Sequence, residues 1–235
     1  MENSMKLYNG ATKVLSVFVK ALFRVKVIGA ENEHSVELKN TVVCANHMSN
    51  WDPVILACVT KNPVSFMGKA ELFRNPVFAW IFRQVGVFPV ERGKADTSAL
   101  DKAIADINDG RGMLIFPEGT RGTGDEMLKL KTGAFMIAAS TGADIIPVRL
   151  IYPTSTRKLK FFAPVVVKVG QPLLAEDLDM VNGGKRALRT AKTTLQQSLD
   201  ALLKEYNDSV GYVPPALPEK TEEIPAKAES ENEGN

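Results

Sequence analysis

The chain is 235 residues long, 45% hydrophobic and 24% charged, which suits one globular domain with a full core. Six glutamates against two lysines give residues 213–235 a charge of −4, so a body of +6 stands behind the net charge of +2. That excess fits an anionic partner such as a membrane surface or a phosphate, and is too small and too poor in interleaved aromatics for nucleic acid. Two cysteines in apolar runs and two histidines exclude a disulfide framework and a zinc constellation, so no metal is expected.

Residues 5–26 read as an amphipathic helix, with Leu7, Ala11, Val14, Leu15, Phe18, Ala21, Leu22 and Val25 on one stripe and Lys6, Lys13, Lys20 and Arg24 opposite. A basic face against an aliphatic and aromatic one suits a helix lying in a membrane interface; a surface helix packed on its own domain has the same pattern. The lysines and Arg24 interrupt any apolar run long before the ~20 residues needed to span a bilayer, and no apolar region followed by a small-residue cleavage site marks a signal peptide.

Strand candidates follow at 41–46, 64–67, 86–90, 112–116, 144–151 and 164–169, interleaved with helix candidates at 53–60, 76–84, 96–108, 132–141 and 184–207. Alternation of this kind predicts a single α/β domain over 29–212, with a mostly parallel or mixed central sheet flanked by helices. Residues 1–28 are expected to form its N-terminal interfacial helix. Pro147 inside the run 144–151 predicts an edge strand or a bulge, the wall of an apolar groove. From Val213 onward, prolines punctuate a glutamate-rich segment that cannot bury enough surface to order itself, so 213–235 is expected to be a disordered acidic tail.

The chemistry gathers just past the strand ends. After 41–46 stands Asn46-His47-Met48-Ser49-Asn50-Trp51-Asp52, where a turn would let Asp52 orient the His47 imidazole as a general base. Asp52-Pro53 equally suits a helix N-cap, and His47 an ordinary half-buried histidine. After 112–116 stands Phe116-Pro117-Glu118-Gly119-Thr120-Arg121-Gly122. Gly119 permits close backbone approach, Thr120 offers a hydroxyl, and Arg121 a planar fork for phosphate. Glu118 orients Arg121 or accepts from a substrate hydroxyl; taken alone, the segment is also a plain surface turn. Lys69 and Arg92 end two further strands, and Lys69, Arg92 and Arg121 together would neutralise a phosphate monoester. Arg157, Lys158 and Lys160 form a basic stretch that suits either an acidic carrier protein or solvent.

In the order NHMSNWD, GKAELF, GVFPVER, FPEGTR and IIPV, the chain resembles the glycerolipid acyltransferases, above all the bacterial-type 1-acylglycerol-3-phosphate O-acyltransferases, over residues 46–148. The resemblance implies that His47 and Asp52 are the catalytic dyad and that Arg92, Glu118 and Arg121 bind the substrate phosphate; Lys69, Gly119 and Thr120 lie in matching blocks. It implies acyl transfer from a thioester of acyl carrier protein or coenzyme A to lysophosphatidate, with no cofactor beyond that co-substrate. The enzyme would work at the cytoplasmic face of the membrane as a peripheral or monotopic protein. Gly122 departs from the serine common there. Other acceptors, such as glycerol-3-phosphate or another lysophospholipid, share these motifs; a thioester hydrolase or a non-catalytic anionic-lipid-binding module would share part of them.

Overall fold

A computed structural model of the chain describes residues 2–35, 40–60, 64–84, 86–90, 97–154 and 156–212. The expected acidic tail at 213–235 lies outside them, as does Arg92. The elements run α1 (Glu2–Phe23), β1 (Val25–Ile28), β2 (Thr41–Ala45), α2 (Asp52–Val59), β3 (Val64–Lys69), α3 (Pro76–Gln84), β4 (Val87–Val90), α4 (Thr97–Asn108), β5 (Gly112–Ile115), α5 (Gly133–Thr141), β6 (Asp144–Ile151), β7 (Val165–Val169) and α6 (Gly184–Val210). One seven-stranded sheet has the order β1-β7-β6-β2-β5-β3-β4. All neighbours are parallel except β6 and β7. The mixed α/β sheet flanked by helices is therefore present.

Each face of the sheet is covered, as parallel strands require. On one face Val19 and Phe23 of α1 and Ile55 and Leu56 of α2 pack with Val43, Leu114 and Val148. On the other, Ile107 of α4, Phe135 of α5 and Leu195 and Leu199 of α6 pack with Val42, Met113 and Ile145. Burial on both faces explains why β2 is an unbroken apolar run instead of an alternating one.

Three expectations need correction. The N-terminal helix ends at Phe23, because Arg24 takes a left-handed φ of 43° and turns the chain into β1, so Val25 is a strand residue paired with Val165. The boundary expected at 28 thus falls at the end of an edge strand of the sheet. The apolar stripe of α1 is also divided: Val19 and Phe23, outside it, are buried with Leu15 and Leu22 packed beside them, while its Phe18 is 72% exposed. The side chains of Lys6, Leu7, Ala11 and Val14 lie outside the described residues. No described helix is long and apolar enough to cross a membrane.

The third correction concerns Pro147. Strand β6 lies inside the sheet between β2 and β7, not at its edge. Pro147 is tolerated because its carbonyl points away from β2 and accepts from Gly170 N–H at 2.8 Å, just where the chain leaves β7. The missing donor therefore falls on that side, and no bond to β2 is lost. The close approach requires glycine: a β-carbon on Gly170 would stand 2.9 Å from Pro147 Cγ.

Candidate active site

Because β2, β3, β5 and β6 are mutually parallel, their C-terminal ends share one edge of the sheet, where functional residues of open α/β sheets collect. Asn46, 2% exposed, fastens the first of these ends. Its side-chain amide donates to Leu150 C=O at 3.0 Å, and its Oδ1 accepts from Leu150 N–H at 2.7 Å. The ladder between β2 and β6 is thereby extended past Ala45, and the next residue is His47.

His47 Nδ1 lies 2.9 Å from Asp52 Oδ2. The same oxygen accepts Met48 N–H at 2.6 Å and Ser49 N–H at 2.8 Å, and a turn closed by Asp52 N–H to Ser49 C=O at 3.2 Å brings the two residues together. Asp52 thus points back into the loop and makes no side-chain cap of α2, which settles the N-cap alternative. Its side chain is fully buried, in the first turn of α2. Accepting backbone N–H groups, Asp52 leaves Nδ1 to carry the imidazole proton and Nε2 to serve as the basic nitrogen. The ring is 12% exposed and stacks on Phe116, with centroids 4.2 Å apart and planes inclined by 23°.

Tyr152, immediately after β6, donates its hydroxyl to Asp52 Oδ1. Burial, the Asp52 charge and this hydrogen bond all push the phenol upward, so it stays a donor. Sequence spacing does not pick out this residue, a hundred positions from its partner. The only signal is its place at the end of a strand parallel to β2.

Glu118 joins the second motif to the first. It is 3% exposed, and its Oε1 accepts His47 N–H at 3.0 Å while its Oε2 accepts Leu128 N–H at 2.9 Å. Gly122 N–H returns a bond to His47 C=O at 2.7 Å. Both Glu118 oxygens are therefore engaged by backbone, and it clamps the phosphate-loop candidate to the histidine turn instead of standing open to a ligand. Arg121 and Thr120 are exposed on that loop. Gly119 has φ +70°, and a β-carbon there would stand 2.6 Å from Lys131 Nζ, which places a further cation over the loop. Lys69 ends β3, two strands from β2, in an exposed ion pair with Glu71 at 3.0 Å.

Beneath the loop lie two arginines. Arg149, 1% exposed, donates Nη2 to Asp125 C=O; burial pushes its pKa down, while Asp200, Asp125 and Glu118 oppose that. Arg157 is buried as well, with Nε 3.0 Å from Asp125 Oδ2, Nη2 donating to Asn207 Oδ1 at 2.8 Å, and its guanidinium 3.9 Å over the Tyr212 ring. It therefore anchors the 122–128 loop and is unavailable as a docking charge; Lys158 and Lys160 remain exposed. Burial pushes the Cys58 thiol up to about 11 against a smaller opposing effect of Lys20, and raises buried Cys44 further, so neither is a ready nucleophile. Among the described residues no three His, Cys, Asp or Glu side chains form a metal-binding group.

A sequence profile of the acyltransferase family matches residues 24–151, just over half the chain and all of the geometry above except the tethers beyond β6. This chain belongs to the acyltransferase family. It is 31% identical over 175 residues to a 1-acyl-sn-glycerol-3-phosphate acyltransferase of Streptococcus pneumoniae, covering 72% of this chain and 64% of that protein. It is 28% identical over 204 residues to the protein of the same name from Bacillus subtilis, covering 83% of this chain and 100% of the relative. Against the chloroplastic Arabidopsis thaliana LPAT1 the match spans about half of the relative, 52%. The crystal structure of the Thermotoga maritima acyltransferase PlsC superposes with a TM-score of 0.64 at 23% identity, covering 87% of this chain and 79% of that one, a likeness of fold.

Proposed function

We propose that the protein is a 1-acylglycerol-3-phosphate O-acyltransferase that moves an acyl chain from a thioester of acyl carrier protein or coenzyme A to the sn-2 hydroxyl of lysophosphatidate, giving phosphatidate. The observation that carries the reading is the buried, fourfold-donated Asp52 holding His47 Nδ1, with Glu118 tying that turn to the Arg121 loop. The names of the relatives support the choice of acceptor.

The reaction follows from this arrangement. Arg121 with Lys131, Lys69 at the end of β3, and Arg92 of the GVFPVER motif hold the acceptor phosphate so that its free hydroxyl meets His47 Nε2. Nε2 takes the hydroxyl proton as that oxygen attacks the thioester carbonyl carbon. The tetrahedral intermediate collapses, the C–S bond breaks, and the imidazolium returns its proton to the leaving sulfur. Asp52 remains ionised throughout, fixing the tautomer and stabilising the imidazolium. No acyl-enzyme is required. The acceptor is a lipid and the donor a soluble acyl carrier protein or coenzyme A thioester, so the proposed enzyme acts peripherally or monotopically at the cytoplasmic membrane face, where both meet.

The test is thiol release from an acyl thioester with and without lysophosphatidate, glycerol-3-phosphate and other lysophospholipids. Release that depends on lysophosphatidate supports the proposal. Release without acceptor would make the protein a hydrolase, and none with any acceptor would leave a lipid-binding module.

Two substitutions probe the assignments. Arg121→Ala is expected to raise the acceptor KM about 30-fold, the loss of a charge-assisted contact, with the thioester KM unchanged. An unchanged acceptor KM would remove Arg121 from the phosphate set. Tyr152→Phe leaves Asp52 Oδ1 without its hydroxyl donor, and is expected to lower kcat about tenfold with both KM values within twofold. A loss confined to thermal stability would reduce Tyr152 to a packing role.

A further inference from the structure

The connection between β6 and β7 displays two aromatic rings that the reaction does not use. Phe161 and Phe162 are 60% and 71% exposed. They are nonetheless held in place. Phe162 N–H donates to Leu22 C=O at the end of α1 at 2.7 Å, and Phe161 stacks on buried Phe23 with centroids 5.7 Å apart. Phe162 has φ 61°, a conformation that costs a bulky residue free energy and that concentrates where function demands it. Trp51, next to Asp52 and 38% exposed, meets the Phe161 ring at 6.3 Å, so the aromatic cluster runs up to the candidate dyad.

Helix α1 extends this surface. With Leu15, Val19, Leu22 and Phe23 turned to the core, Val17 and Phe18 lie on an apolar arc that the domain leaves uncovered, 67% and 72% exposed, beside exposed Lys20 and Arg24. The loop repeats the pattern, since exposed Lys158 and Lys160 directly precede the two rings. Aromatic rings flanked by lysines match a bilayer interface, where rings enter the headgroup boundary and cations meet anionic headgroups.

We propose that residues 158–162 form a second membrane contact, which together with the free arc of α1 docks this side of the domain on an anionic lipid surface and sets the His47–Asp52 pair beside it. The orientation of the site rests on the acyltransferase reading; the docking does not. It gives the lipid acceptor a route to the site without leaving the surface, and assigns Lys158 and Lys160 to lipid headgroups.

The test is sedimentation of the full chain with phosphatidylcholine vesicles, with and without phosphatidylglycerol, alongside thermal unfolding of each variant. Phe162→Ser, whose ring is mostly in solvent, is expected to lower partitioning about tenfold without changing the melting temperature. The double variant Lys158→Glu and Lys160→Glu is expected to lower it at least 25-fold on anionic vesicles only, about fivefold for each lysine removed. Turnover of vesicle-borne lysophosphatidate should fall in step, while turnover of a short-chain acceptor dissolved as monomers stays within twofold. Unchanged partitioning in both variants overturns the proposal. So does a loss confined to acyl carrier protein as donor, which would make the loop a carrier-protein dock. Partitioning is read without turnover, so failure of the acyltransferase reading would leave this result standing on its own.

Discussion

Replacing His47 by alanine is expected to lower kcat by about three orders of magnitude while the acceptor KM stays within about threefold. General-base catalysis accounts for roughly 10²–10⁴ in rate, and the proposed acceptor contacts come from other side chains. The substitution gives up the ring's stack on Phe116 but spares the backbone bonds that hold the turn: His47 N–H meets Glu118 at 3.0 Å and its C=O accepts Gly122 N–H at 2.7 Å. Alanine keeps both. Asp52 also keeps Met48 N–H, Ser49 N–H and the Tyr152 hydroxyl, so its buried charge is not orphaned. Steady-state thiol release gives kcat, and calorimetric titration with lysophosphatidate gives acceptor affinity independently of turnover. A fall in kcat below tenfold would remove His47 from the chemistry. A matching loss of affinity would show that the ring binds instead of reacting.

Much of the fold was legible because local signals agreed. Helix α3 at Pro76–Gln84 and strand β6 at Asp144–Ile151 have the bounds their patterns predict, and the His-Asp pair sits in the predicted turn after β2. What was hidden depended on long-range packing. Apolar residues cover such a wide arc of α1 that periodicity alone does not say which edge meets the core; Val19 and Phe23 do, and Phe18 does not. Strand β1 was absorbed into that helix because nothing local marks the left-handed turn at Arg24. Pro147 reads as an edge signal unless the direction of its missing N–H is known, and that direction depends on Gly170. Tyr152, Arg149 and Arg157 act through partners brought close only by the sheet order. Arg157 looked like a free surface charge until Asp125, Asn207 and Tyr212 closed around it.

Glu118 differs most between its sequence and its place in the structure, and it carries the second large effect. Glu118→Gln is expected to lower kcat/KM about 100-fold and to cost about 1–3 kcal/mol of stability. The carboxylate accepts two backbone N–H groups, one on each oxygen, from His47 and Leu128. A carboxamide has one acceptor oxygen, so its NH₂ must face one of those donors and leave it unpaired. If His47 N–H is lost, the turn that presents the imidazole loosens; if Leu128 N–H is lost, the 119–128 segment carrying Arg121 does. Displacement by even 1 Å at either point is enough for the expected loss, since reacting groups are held to fractions of that distance. Neutralising Glu118 also withdraws one of the negative charges that help keep buried Arg149 protonated, which adds to the instability. Glu118→Asp should behave similarly, being a methylene too short to reach both donors. Kinetics with both substrates and a thermal melt decide the matter. Wild-type kcat/KM with an unchanged melting temperature in either variant would mean that the clamp does not hold the site together.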